Sequence, residues 1–344
     1  MVIKEDVPLS LHCTMRLGGN ARYFCEVESE ADIDEAAAFA KKNKLKIHVL
    51  GGGSNTIFTD DGFKGLIVAN RIKKFVHETE KGMMTAVVGA GEEWDDVVKK
   101  VIKEGFGDIS ALSLIPGTVG GAPVQNIGAY GQQISDSIVS VRAYNIKKQK
   151  WENILRHSCN FSYRTSRFNQ QDKGKFIIAT IGMRFIRKKV SGPFYKDVQH
   201  YFDTHGISAR QVSPADLRKA VISIRRLKLP DPAKVANTGS FFKNPKVSSE
   251  TYHNLLKHYP DLKSHKTDDG NLKLYAGQLI ELAGMKNYHD KKTGISTWKN
   301  QALVLVNEEA KTTADLLEFK NKVIMSVHAA FGITLQQEPE LIGK

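Results

Sequence analysis

Apolar residues recur along this chain with two periods, and each period predicts a different element. Trp94, Val97, Val98, Val101 and Ile102 stand at i, i+3, i+4, i+7 and i+8, so residues 92–105 read as an amphipathic helix ending at Gly105. Ser29-Glu-Ala-Asp32 is a capping box that opens a second helix, with Ile33, Ala36, Ala37 and Ala40 on its inner face. A third helix is predicted over Thr313–Phe331, capped by Thr312 or Thr313, with Leu316, Lys320, Val323, Val327 and Phe331 along one stripe. Shorter helical patterns lie near residues 250–258 and 275–283. Short apolar runs at residues 21–27, 45–50, 65–70, 87–91, 138–145, 176–185 and 301–307 read as strands.

These elements divide the chain. Strand, helix and strand over residues 1–70 form a small first lobe, and residues 71–228 form a second. Leu229-Pro-Asp-Pro-Ala233 is a proline-punctuated hinge into a third region, 229–332. Residues 338–342 are apolar enough to return as a strand, so 333–344 are expected to rejoin the first lobe.

The stretch from Ser113 to Gly131 fits neither period. It holds five glycines, Gly117, Gly120, Gly121, Gly128 and Gly131, with Pro116 and Pro123 and almost no charge. A disordered linker is more polar, and a helix does not tolerate this much glycine and proline. What remains is a tight irregular loop: either a sharp turn between core elements or a backbone cradle for a phosphate or ring system. A second cluster, Gly51-Gly52-Gly53-Ser54-Asn55, follows the strand at 45–50. It lacks the Gly-x-Gly-x-x-Gly of a Rossmann turn and the Gly-Lys-Ser/Thr of a P-loop. Two such loops suggest one dinucleotide held between two lobes.

In order along the chain, Gly51–Asn55, Ile115-Pro-Gly-Thr-Val-Gly-Gly121, Gln125-Asn-Ile-Gly-Ala-Tyr-Gly131, Tyr163-Arg164, Gly239-Ser-Phe-Phe-Lys-Asn-Pro245 and Glu338-Pro-Glu340 resemble the UDP-N-acetylenolpyruvoylglucosamine reductases. These are flavoenzymes of bacterial cell-wall precursor synthesis. The resemblance implies an α+β fold: a two-lobed FAD-binding unit of the PCMH/VAO type followed by an α/β domain for the UDP-sugar. It implies non-covalent FAD between the lobes. The cofactor contacts would come from Arg16, Gly51, Gly52, Gly53, Ser54, Asn55, Ile115, Pro116, Gly117, Thr118, Gly120, Gly121, Gln125, Asn126, Gly128, Ala129 and Tyr130. His12 and Cys13 lie nearby, but the family uses no covalent link there.

The same resemblance implies the chemistry. NADPH reduces FAD and leaves, and UDP-N-acetylglucosamine enolpyruvate then takes its place. Hydride reaches C3, Arg164 and Glu340 hold the charge that develops, and Ser240 protonates C2 to give UDP-N-acetylmuramate. On local sequence alone Ser240 reads as a turn serine; no Gly-x-Ser-x-Gly elbow supports a hydrolase. A buried hydroxyl beside Lys243 and Asn244 could still donate a proton. Tyr163, Tyr195, Arg225, Lys228, Asn244 and Gln301 are expected to hold the substrate, Tyr195 by closing over the UDP group and Lys228 as a point charge on the diphosphate. Trp298 stands where the family often has histidine.

Composition narrows the classes. The 41% hydrophobic and 25% charged content is that of a globular protein, and no apolar run reaches the roughly 20 residues of a membrane span. The net charge of +13 suits anionic ligands, or is simply a lysine-rich solvated surface; no nucleic-acid signature accompanies it. Cys13, Cys25 and Cys159 are odd in number and form no metal spacing, so the expectation is a cytoplasmic monomer without metal, membrane or nucleic-acid partner. Two rival readings remain: a related flavin oxidase, and a non-catalytic nucleotide-sugar-binding module.

Overall fold

The computed structural model describes residues 1–267 and 269–343. Contacts divide the chain into two units, each assembled from separated segments. The first comprises Met1–Val7, Ala21–Gly52 and Lys64–Arg226; the second comprises Pro8–Asn20, Gly53–Phe63 and Leu227–Lys344.

The first unit carries two sheets. One has the strand order Ile3–Pro8, Asn20–Val27, Phe63–Asn70, Ile47–Leu50, its last two strands parallel. The Glu30–Lys42 helix packs on it through Ile33, Ala36, Ala37 and Ala40, all buried as the capping-box reading required, and Ser29 accepts the Asp32 N–H. The other sheet is antiparallel, ordered Lys150–Leu155, Ile138–Asn145, Phe176–Ile186, Met83–Gly89, Phe75–Glu80. Met83–Gly89 alternates exposed and buried along most of its length, which is period two read onto one covered face. The Trp94–Lys103 helix buries Trp94, Val97, Val98 and Val101 in the core under that face, and Gly105 takes φ 83° just beyond its end.

The second unit centres on an antiparallel sheet ordered Ala236–Ser240, Gln301–Asn307, Ile295–Trp298, His289–Asp290. The Thr313–Phe331 helix covers it, with a capping box between Thr312 and Asp315 and Gly332 in the left-handed C-cap position at φ 66°. Glu340–Ile342 is a strand as expected, paired in parallel with Thr56–Phe58.

Three readings change. The stripe assigned to the long helix takes Phe319, wholly buried, rather than Lys320, which is half-buried and whose ammonium pKa burial lowers. The helices Lys196–Thr204 and Pro214–Lys228 and the strands Ile3–Pro8, Phe75–Glu80 and Lys150–Leu155 are additional elements. The Pro214–Lys228 start carries a legible signal: Ser213 Oγ caps the Asp216 N–H, and proline stands at the first helical position. Ser240 is exposed at the end of its strand, not buried, because Phe241 and Phe242 take the inward positions that follow it.

Replacing Phe319 by Ala should lower the urea unfolding free energy by about 3–5 kcal/mol, while Lys320→Ala should cost far less. Equal losses would restore the original stripe.

Candidate active site

In the first unit the two glycine-rich loops lie against each other. A β-carbon on Gly51 would sit 2.5 Å from Thr118 Oγ1, and one on Gly52 would sit 2.9 Å from Gly117 Cα. Only glycine permits that approach. Arg71 Nη1 donates to Gly51 O at 3.4 Å. Gly120 N–H donates to Ala90 O at 2.8 Å, and a β-carbon on Gly120 would sit 2.8 Å from the Ala90 Cβ. Thr118 Oγ1 is buried without a hydrogen-bond partner among the described residues. Gly121, by contrast, faces open space and has φ −75°. A buried hydroxyl without a partner beside a side-chain-free cradle fits a bound phosphate-bearing group.

The first helix turn after Gly91 holds this loop in place. Trp94 N–H donates to Gly117 O at 3.0 Å, its indole N–H to Leu112 O at 2.9 Å, and Val119 N–H to Glu92 O at 2.9 Å. Asn126 is left-handed at φ 45°, and its amide is engaged by Gln133, by Ser162 O and by Ser135 N–H. Ile115, Pro116, Gln125 and Ala129 line the same run, half-buried except for exposed Pro116.

Two residues of this unit predicted to hold substrate, Tyr195 and Arg225, gather about Tyr130, which is predicted on the cofactor side. The Tyr130 and Tyr195 rings meet edge-on at 5.9 Å, with Tyr195 52% exposed and able to meet a ligand. Burial raises the Tyr130 phenol pKa, opposed by the positive Arg225. Arg225 Nε is buried without a partner among the described residues, and burial lowers the guanidinium pKa while Tyr130 and Asp95 offset it. Elsewhere in the unit Arg164, at φ 54°, donates from Nη2 to Gly128 O at 2.6 Å and stacks its guanidinium over Tyr163 at 5.2 Å.

The second unit gathers the others. Phe241 O accepts the Glu338 N–H at 2.9 Å, so the segment beginning at Ser240 runs beside the one ending at Glu340. Glu340 N–H donates to Asn55 O at 2.9 Å, and Ser54 and Gly53 precede Asn55. Ser240 Oγ makes no hydrogen bond among the described residues. Asn244 Oδ1 accepts the Ala276 N–H at 3.0 Å, and a β-carbon on Gly277 would sit 2.5 Å from Gln301 Oε1, so Asn244 and Gln301 flank one helix start. Lys228 is half-buried near the hinge. Arg16 Nη2 donates to Pro232 O and Ala233 O at 3.0 and 2.7 Å, and Thr14 Oγ1 donates to Asn237 O at 2.5 Å, so this entry segment holds the hinge turn. Trp298 Nε1 is buried and without a partner among the described residues. Cys13 Sγ donates to Leu17 O at 3.3 Å, and burial raises its pKa, which leaves it a poor nucleophile.

Residues 21–148 match the FAD binding domain model, and residues 231–342 match the model of the UDP-N-acetylenolpyruvoylglucosamine reductase C-terminal domain. The chain is 38% identical to the UDP-N-acetylenolpyruvoylglucosamine reductase of Cupriavidus pinatubonensis, with 98% of each chain covered. It is 36% identical to that of Bdellovibrio bacteriovorus, covering 98% of this chain and 99% of the relative. The Thermus caldophilus enzyme of the same name superposes with a TM-score of 0.68 at 19% identity, over 99% of this chain and 100% of that one, and so shares the fold. The fold and the matched domains define an FAD-dependent oxidoreductase: an α+β flavin-binding unit followed by a second, C-terminal domain. Within that class, the chain belongs to the UDP-N-acetylenolpyruvoylglucosamine reductase family.

Sequence reading had no signal for Arg71, which braces the Gly51 carbonyl, because its partner is a backbone atom. Gly52→Ala should destabilise the apoprotein, because its β-carbon meets backbone. Gly121→Ala should leave apoprotein melting unchanged yet weaken FAD uptake. Unaltered FAD affinity in Gly121→Ala would show that nothing approaches that residue.

Proposed function

We propose that this chain reduces UDP-N-acetylglucosamine enolpyruvate to UDP-N-acetylmuramate with electrons from NADPH, in peptidoglycan precursor synthesis. The observation that carries this reading is family membership along nearly the whole chain. FAD, when bound, supplies the two-electron chemistry linking NADPH to the enolpyruvyl group. The glycine loops at 51–55 and 115–121, with Thr118 Oγ1, would hold its phosphates, and Arg16, Gln125, Asn126, Gly128, Ala129 and Tyr130 complete the set.

The remaining steps fall to side chains. Hydride added at C3 of the enolpyruvyl ether leaves negative charge spread over C2 and its carboxylate. A cation and a carboxyl group aimed at that charge favour the transition state, one such donor being worth about 3–4 kcal/mol. Arg164 is suited to the cationic role: its turn at φ 54° and the Gly128 carbonyl hold the guanidinium in one direction. Glu340 takes the other role, fixed by its backbone bond to Asn55. Ser240 gives the proton to C2; its exposed hydroxyl, with no acceptor among the described residues, can donate and be reprotonated by water. Tyr163, Tyr195, Arg225, Lys228, Asn244 and Gln301 bind the nucleotide sugar. Arg225 supports that role because its buried guanidinium Nε, without a partner among the described residues, favours an incoming anion or carbonyl.

The lobe boundaries near residues 70 and 228 belong to the same reading, as do a monomeric state and the absence of a nucleic-acid partner. No helix among the described residues is long and apolar enough to cross a membrane. We place the enzyme in the cytoplasm, and the three free, buried cysteines suit a reducing compartment.

An anaerobic visible spectrum should show a flavin band that NADPH bleaches and the enolpyruvyl nucleotide restores. Restoration by oxygen alone would indicate an oxidase, and a colourless chain that cannot take up FAD would overturn the reading. Ser240→Ala should leave bleaching near normal and slow reoxidation by substrate by at least a hundredfold, the general-acid range of ~10²–10⁴. Glu340→Gln should act on the same half-reaction, and wild-type turnover in that variant would remove Glu340 from the mechanism.

A further inference from the structure

The glycine-rich loop is held by one more contact, and it comes from a charged side chain. Leu114 has φ 59°, a left-handed conformation that costs energy in a residue with a side chain, and it turns the chain into Ile115-Pro116-Gly117. Its N–H donates to Asp95 Oδ1 at 2.5 Å. Asp95 lies in the first turn of the Trp94–Lys103 helix, where a carboxylate is favoured by the helix dipole.

Both Asp95 oxygens also accept from Arg218, Oδ1 from Nη1 at 2.7 Å and Oδ2 from Nη2 at 2.8 Å, the paired geometry that makes an arginine–carboxylate contact directional. Arg218 stands seven residues before Arg225 in the Pro214–Lys228 helix, hence on the same face. Burial alone would raise the Asp95 carboxyl pKa. The Arg218 hydrogen bonds, the Leu114 N–H and the nearby charges of Arg218 and Arg225 outweigh it and hold the group below its ordinary value. The group is therefore a charged carboxylate at neutral pH. Its contribution is complete above the ordinary aspartate value of 3.8 and is lost as the pH falls through the lower folded value.

We propose that Asp95 is a positioning residue: by accepting the Leu114 N–H while paired with Arg218, it sets the backbone of residues 114–118 for FAD and ties that loop to the helix bearing Arg225. The proposal rests on the reading that this loop holds FAD.

The test is an FAD titration of apoprotein followed by flavin fluorescence, with apoprotein melting and the KM for the enolpyruvyl nucleotide measured in parallel. Asp95→Asn keeps the shape but loses the charge; it should weaken FAD binding roughly tenfold or more, the scale of one charge-assisted hydrogen bond. Arg218→Lys keeps the charge but not the paired geometry, so it should weaken FAD binding less and raise KM with kcat nearly unchanged. Melting of both apoproteins should stay close to wild type. FAD affinity within twofold of wild type in both variants would overturn the proposal. So would affinity that falls only in step with apoprotein melting, since the pair would then be structural. A wild-type chain that takes up no FAD would overturn the functional reading as well.

Discussion

Two stretches of chain approach closely at Gly51-Gly52 and Gly117-Thr118, where glycine leaves room, and the first unit is built to allow it. Such an approach places unusual demands on its surroundings. Each loop must be held from outside, because its glycines have no side chains to pack. One is held by the parallel pair Ile47–Leu50 and Phe63–Asn70, which leads straight into Gly51, and by Arg71 at the Gly51 carbonyl. The other is held by the first turn of the Trp94 helix, which takes up loop carbonyls and N–H groups in alternation. The same crowding continues at Gly91, where a β-carbon would sit 2.4 Å from the Arg71 carbonyl carbon. The glycines are thus a single packing requirement distributed over three places in the chain.

Electrostatics differ between the units. In the first unit, Arg164 directs its guanidinium to a backbone carbonyl, and Arg225 keeps a buried nitrogen without a partner among the described residues. In the second unit, Ser240 faces solvent, and the Glu340 backbone is stitched into a strand pair. A proton donor that must recharge from water belongs at an exposed strand end. A cation that must meet a ligand anion gains most where water is scarce. The two environments match the two tasks proposed for them.

Much of this was legible in the sequence, and the reasons are local. The Glu30 and Thr313 helices announce themselves because their caps lie within four residues of what they cap. The glycine loops are legible because glycine is rarely tolerated in such density without a conformational cause. The exposed Ser240 was misread because alternation along a short strand fixes its faces only once the register with Val304 is known. The assignment of Lys320 to the inner stripe failed similarly: the helical period admits either neighbour, and the cavity filled by Phe319 decides. Asp95 and Arg218 could not be paired from sequence at all, since nothing near either residue marks the other.

The second unit is assembled from Pro8–Asn20, Gly53–Phe63 and Leu227–Lys344, and its outermost pairing joins Thr56–Phe58 to Glu340–Ile342. A chain emerging from the ribosome therefore makes Thr56–Phe58 early and must leave that pairing unmade until Glu340–Ile342 follows, more than 280 residues later in sequence. The long continuous segment Lys64–Arg226 can begin to condense during that interval, whereas the second unit closes only once Glu340–Ile342 has been made. Final closure of that unit and delivery of Glu340 are one event, so a nascent chain cannot acquire the carboxylate before it has acquired the fold.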